Sequence, residues 1–388
     1  TMPNTLTNLI PSAYRALNVI SRELVGFIPS VTLDPSADML AAGQTIYIPQ
    51  APVNSAGKDI TPAMAFPTAA YQTIATKSHT LSKQRAFPFS WQNEERKSLD
   101  AGPGYLSINE QQIAQALRAC VNEIEVDIAV AAKNGASRAF GATAGTAPIL
   151  SDWAQAKKIL DDNGAPSTDR TSVFDTTAGV ALRSTSNLYK VNEAGDGGSL
   201  LRQGVLGNLY GFNLRESAQI QSTTKGTAAS ATTDNAGYAV GATVLTLASA
   251  GTGTIVAGDI LTFAGDTNKY VVAIGDSDVS SGGTITLAEP GLRVAMSAAT
   301  KAITVFGTSA RNTAFSRNAI LLSTRLPASV QGDLATDRQT ITDPNSGISF
   351  ELSMYPGDRI ALDVKGSLNS SPQFIEANNL RSSSVILK

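Results

Sequence analysis

The feature that most constrains this chain is a run of apolar residues at helical spacing between Ser107 and Asn134. Ile113, Leu117, Cys120, Ile124, Ile128 and Ala131 recur at intervals of three and four, which places them on one stripe of an α-helix. Ser107 and Glu110 have the spacing of a capping box, and Asn134-Gly135 supplies a stop. At 1.5 Å per residue such a helix is about 40 Å long. One apolar stripe of that length suits the spine of a broad, flat subunit. The pattern lasts about three heptads, too few for a sustained coiled coil.

The segments before the helix are of another kind. Residues 11–26 read as an amphipathic helix, with Pro11 early, Gly26 just past the end, and Leu17, Ile20 and Leu24 on one stripe. It reads as an arm that docks elsewhere; an ordinary first helix is the bland alternative. Residues 44–105 carry Pro49, Pro52, Pro62, Pro67 and Pro88, which forbid a long helix. Thr45–Pro49 and Tyr71–Leu81 read as strands of a two-stranded excursion. Such a hairpin is marginally stable alone and implies a partner surface.

After the spine, 151–163 reads as a short helix capped by Ser151 or Asp152. Thr171–Phe174 reads as a buried strand and Thr177–Tyr189 as helical. This mixture implies an α+β or α/β body. Residues 223–309 are dense in Gly, Thr, Ala and Val, with short strands at 243–249, 259–265, 269–275, 284–290 and 302–307. Gly258-Asp259, Gly265-Asp266 and Ser281-Gly282-Gly283 mark turns between them. Short, evenly spaced strands with glycine-rich turns indicate a small β-barrel or sandwich. A helical and mixed pattern is expected to return after Phe315, so the β-unit reads as inserted into a parent fold. Thr340–Thr342 and Ile348–Met354 flank a five-residue turn, and Arg359–Val364 reads as a further strand.

Nothing in the residue inventory makes a convincing catalytic site. His79 is the single histidine, Cys120 the single cysteine, and no Ser-His-Asp, Cys-His or four-ligand zinc set can be built from them. Cys120 in an apolar helical pattern reads as a small packed hydrophobe. Asp276, Asp278 and Ser280 have the start of a calcium-loop spacing, but Ser281 and Leu287 stand where Gly and Glu are required. Gly195-Asp196-Gly197-Gly198 lacks the lysine of a phosphate loop. Lys157-Lys158 and Arg96-Lys97 read as surface pairs. Asp333, Asp337, Asp343, Asp358 and Asp363 sit at turns and strand ends, where Asp belongs without any glycosidase role. The expectation is no catalytic, cofactor or metal residue. The net charge of -2 lacks the basic excess of a sequence-reading DNA-binding domain. No apolar run is long enough for a membrane helix, and the first residues lack a leader pattern, so neither membrane insertion nor export is expected. Charged residues make up only 16%, below the usual quarter, which suits a surface covered by neighbours.

The order of these parts resembles the major capsid proteins of the Hong Kong 97 phage fold. It is most similar to the coat proteins of short-tailed Salmonella-type phages, which carry an inserted β-barrel. The residues that carry the resemblance are Gln44–Gln50, Val205–Ser217, Val256–Gly265, Ala314–Pro327 and Gly347–Val364. It implies an α+β fold with an N-terminal arm (1–43), an extended loop (44–105), and a spine helix with its peripheral domain (106–150). It further implies an axial domain (151–222), an inserted all-β barrel domain (223–309), and a return to the axial and peripheral domains (310–388). By the same resemblance, copies assemble as pentamers and hexamers into an icosahedral shell around double-stranded DNA, held non-specifically. Scaffolding and portal proteins are the implied partners, a decoration protein is a further candidate, and the location is the virion capsid, assembled in the host cytoplasm. One member of the family cross-links Lys to Asn, which directs attention to Lys77, Lys83, Asn378 and Asn379; the barrel-bearing branch generally lacks that reaction. A secreted or surface β-rich adhesin and a cellular nanocompartment shell are the alternative readings.

Overall fold

The apolar stripe does form a helix. In a computed structural model, helix α1 runs over Tyr105–Gly135, and Ile113, Leu117, Ile124 and Ile128 along it are fully buried. At 1.5 Å per residue it is about 46 Å long. The structure describes residues 14–16, 25–34, 39–40, 44–50, 75–80, 83, 85–91, 105–141, 144, 147–190, 203–204, 206–327, 337–343, 347–355, 364–376 and 384–387. Two details differ from the sequence expectation. The helix begins two residues before Ser107, so Ser107 lies in the first turn and is not the cap. The stripe ends on buried Ala132 and not on half-buried Ala131, because four-residue steps from Ile124 through Ile128 reach 132.

α1 packs against two mixed sheets. In one, Thr32–Asp34, Ile320–Pro327, Val364–Glu376, Ser349–Tyr355 and Asp337–Thr342 lie side by side, with Arg85–Trp91 also on Val364–Glu376. Its Leu322, Ile341, Phe350 and Leu352 share a core with the α1 stripe. The hairpin expected around residues 343–347 is present, with Asp337–Thr342 antiparallel to Ser349–Tyr355. The last strand of this sheet begins at Val364; residues 359–363 lie outside the described residues. The return after Phe315 is β and not helical among the described residues: a single 3₁₀ turn at Arg317–Ala319 leads straight into Ile320–Pro327.

The second sheet explains why Arg170–Phe174 is buried at every residue. Alternate side chains point to opposite faces, and both faces are covered. Val173 and Phe315 join the α1 core, whereas Phe174 and Ala314 join a second core. That core is built on α2 (Leu150–Asp162) and α3 (Thr176–Arg183). Trp153 of α2 meets Phe174 edge-on at 6.1 Å and donates its indole N–H to Ser172 Oγ at 3.1 Å. α2 starts one residue earlier than expected. Asp152 is therefore not the cap but reaches back from the third helical position to the Ile149 N–H, at 2.9 Å. The helical stretch expected over 177–189 breaks at Ser184-Thr185 into α3 and a one-turn α4 (Ser186–Tyr189).

Residues 223–309 bring their own core. Leu245, Leu261, Tyr270, Val272 and Ile285 are fully buried in one cluster. Val244–Leu247 pairs Gly283–Leu287, which pairs Lys269–Ile274, which pairs Ile260–Phe263, which pairs Ile303–Val305. Isolated bridges from Thr232 to Ala302 and from Thr233 to Leu247 then join the two ends, so the pairing runs around a closed circuit. Closure removes free strand edges. The unit is not detached from the body, because Lys269–Ile274 also pairs with Arg138–Ala139 just after α1. Ala136, Ala139, Ile260, Val271 and Ala288 form a small apolar cluster at that junction.

Candidate functional site

Among the described residues, no two of those weighed as catalytic come together. His79 lies on Ala75–Thr80 opposite Ile46. Cys120 is buried in the α1 stripe. Asp276 and Asp278 turn inward on their own chain: Asp276 accepts from the Asp278 N–H at 2.8 Å, and Asp278 accepts from Ser280 N–H at 3.0 Å and Ser280 Oγ at 2.6 Å. They close a turn before a 3₁₀ segment at Val279–Ser281. Among the described residues no cluster of His, Cys, Asp or Glu could hold a metal ion. Lys157 and Lys158 are exposed on α2. Asp343 is buried at the hairpin turn, where its backbone exchanges hydrogen bonds with Ile348 and Gly347. Gly195–Gly198, Arg96-Lys97, Asp333, Asp358, Asp363, Asn378 and Asn379 lie outside the described residues, as do Leu17, Ile20 and Leu24 of the expected arm helix.

The structure builds an anchoring site instead. Thr45–Gln50 and Ala75–Thr80 form an antiparallel ribbon that pairs with no other strand among the described residues. Tyr47 on it is 68% exposed. Where the chain leaves the ribbon, Lys83 binds Glu123 at 2.7 Å and also Asp127, and Arg85 binds Glu123 at 2.8 Å. Glu123 and Asp127 are four residues apart on α1, so both carboxylates project from one face. Burial works against the Lys83 charge, but hydrogen bonds and attraction from Asp127 and Glu123 outweigh it and raise its pKa. Burial likewise works against the Glu123 carboxylate, and Lys83 and Arg85 outweigh it and lower its pKa. Lys83, weighed as a cross-linking lysine, is thus held in an ionic tether.

The second anchor lies one residue beyond Ile124, and sequence reasoning passed it over. Glu125 is fully buried. Its Oε1 accepts from Gly26 N–H at 2.6 Å and Phe27 N–H at 2.7 Å, and its Oε2 from Ile28 N–H at 3.1 Å. Ser217 adds a side-chain hydrogen bond. Burial pushes the carboxyl above its ordinary value, against the pull of these donors. The chain can cross here because residue 26 is glycine: a Cβ would lie 2.6 Å from Val173 Cγ1 and 3.1 Å from the Glu216 carbonyl oxygen. Phe27 then stacks on Phe315, with centroids 6.1 Å apart. The signal available in the sequence was a carboxylate four residues after Val121 and three before Ile128, hence on the buried face.

No protein-family model and no curated protein matches the chain. Solved structures do. A chain of the capsid structure of cyanophage P-SCSP1u is similar at 12% identity and a TM-score of 0.49, covering 94% of this chain and 88% of its own. A chain of Mycobacterium phage Che8 is similar at 13% identity and a TM-score of 0.47, covering 89% and 85%. A chain in the asymmetric unit of the bacteriophage PhiM1 mature capsid is similar at 11% identity and a TM-score of 0.42, covering 93% and 86%.

Proposed function

We propose that this chain is the major capsid protein of a tailed bacteriophage, with the Hong Kong 97 phage fold, and that its role is structural and not enzymatic. The observation that carries this reading is the ribbon of Thr45–Gln50 and Ala75–Thr80. It pairs with no third strand among the described residues, presents Tyr47 to solvent, and is tethered at its base to the spine helix. A two-stranded ribbon is marginal in water without a further surface to lie on. A neighbouring copy of the same chain supplies that surface in a closed shell. Pentamers and hexamers enclosing double-stranded DNA follow from this reading, as do a scaffolding protein during assembly, a portal, and residence in the virion capsid. The near-zero net charge suits a container that holds DNA without gripping it.

In the same reading 223–309 is an inserted β-barrel domain, 1–43 an arm and 44–105 the extended loop. Its own buried core and its closed circuit of pairing support the insertion. Electron microscopy of the purified protein tests the whole proposal. Closed shells support it and separate it from the adhesin reading; packaged DNA in place of a cargo enzyme separates it from the nanocompartment reading. A chain that stays monomeric with its scaffolding protein present refutes it. Limited proteolysis near 222–230 and 308–314 tests the insertion. A surviving β-fragment is expected, and it will expose the Ile260, Val271 and Ala288 patch.

A further inference from the structure

A cavity of about 300 Å³ lies where α1 meets the strands that enter and leave 223–309. One wall is a single face of α1, with Val126, Ala129, Val130 and Lys133 at helical spacing; Arg311 and Thr223 also line the cavity. Arg311 is 2% exposed. Two of its nitrogens are used, one by Ser309 Oγ at 2.6 Å and one by the Gly307 carbonyl at 3.1 Å, while buried Nε has no partner. The Lys133 side chain makes no hydrogen bond or ion pair among the described residues. Burial lowers the pKa of both groups, and the Arg311 charge lowers that of Lys133 further.

Among the described residues, the acid that acts on both is Asp259. Its oxygens already accept from Gly226 N–H, at 3.1 Å to each, and from Val256 N–H at 2.9 Å. Two cations therefore face one cavity against one carboxylate that is committed to backbone donors. A buried charge without a partner is costly, and a guanidinium beside an ammonium is the usual grip on an oxyanion. Hydroxyls in the lining, such as that of Thr223, suit the remaining oxygens.

We propose that this cavity binds a small oxyanion, phosphate or a carboxylate, between Lys133 and Arg311. The inference does not depend on shell assembly. It is tested by isothermal titration of the purified full chain with inorganic phosphate, and separately with acetate, at constant ionic strength set with chloride. Saturable binding of phosphate, of acetate, or of both is expected, and the stronger of the two identifies the source of the oxyanion. Lys133→Met should weaken it at least tenfold, Lys133→Arg should restore it, and Lys157→Met on α2 should leave it unchanged. No saturable binding of either anion overturns the proposal. So does a folded Lys133→Met that binds like the parent. If Lys133→Met fails to fold, Lys133→Gln takes its place with the same expectation.

Discussion

Replacing Glu125 by alanine removes the acceptor for three consecutive backbone N–H groups, those of Gly26, Phe27 and Ile28. Each buried donor left unmade costs about 1–3 kcal/mol, a gross loss of about 3–9 kcal/mol. The carboxylate's own desolvation penalty is returned, so we expect a net loss of about 3 kcal/mol for Glu125→Ala. Glu125→Gln keeps one carbonyl oxygen where Oε1 stands, but turns an amide toward the Ile28 N–H; about 1–2 kcal/mol is expected from the one donor left unmade. Urea unfolding of the purified chain, with m compared across the three proteins, measures both. The pH dependence has a definite sign. The folded pKa is raised above 4.5, so the folded chain holds this proton more tightly than the unfolded one. The group's contribution to stability is full below about pH 4.5 and is lost as pH rises through the folded pKa. Glu125→Gln should remove that part of the slope. An alanine variant within about 1 kcal/mol of the parent at unchanged m would refute the anchoring argument.

Three further outcomes are expected. Ser172→Ala leaves the buried Trp153 indole N–H without its acceptor and should cost about 1–3 kcal/mol, read by tryptophan fluorescence during unfolding. Gly275→Ala places a Cβ 2.0 Å from the Ile255 carbonyl oxygen; both partners are backbone, so the bridge between Ile255 and Asp276 must open, and residues 223–309 should become sensitive to protease. Lys83→Met should cost no more than about 1 kcal/mol at neutral pH, because the tether is partly exposed. Its mark is in acid: the Glu123 pKa is lowered by Lys83 and Arg85, so its contribution is present above 4.5 and lost as pH falls through the folded pKa, and the variant should show a shallower acid limb in thermal unfolding.

What the sequence reveals and what it hides follow one physical division. The α1 stripe was legible because a helix reads only residues within four of one another, and Ile113 to Ile128 carry that period without a break. The strands of 223–309 were legible because glycine turns punctuate them. Val364–Glu376 was not legible: VKGSLNSSPQFIE has no alternation, and its place is decided by pairing with Ile320–Pro327, Ser349–Tyr355 and Arg85–Trp91. The helical part of the expected return after Phe315 differs for the same reason, since Ile320–Pro327 is made a strand by neighbours on both sides.

The anchors are the extreme case. Glu125 finds three of its partners 97 to 99 residues away, and these three are backbone groups, which no side-chain pattern announces. A carboxylate on a buried helix face is nevertheless a signal, because burying a charge demands donors that the helix itself cannot supply. The same logic leads from Arg311 and Lys133 to the proposed oxyanion site. Glu125 found its donors within the chain; Arg311 is satisfied only in part, by Ser309 and the Gly307 carbonyl, and Asp259, the acid near it and Lys133, is already taken by Gly226 and Val256. An unbalanced buried charge thus points either to a distant segment of the same chain or to something the chain binds. The titrations of Lys133 variants and the unfolding of Glu125 variants decide the two cases separately.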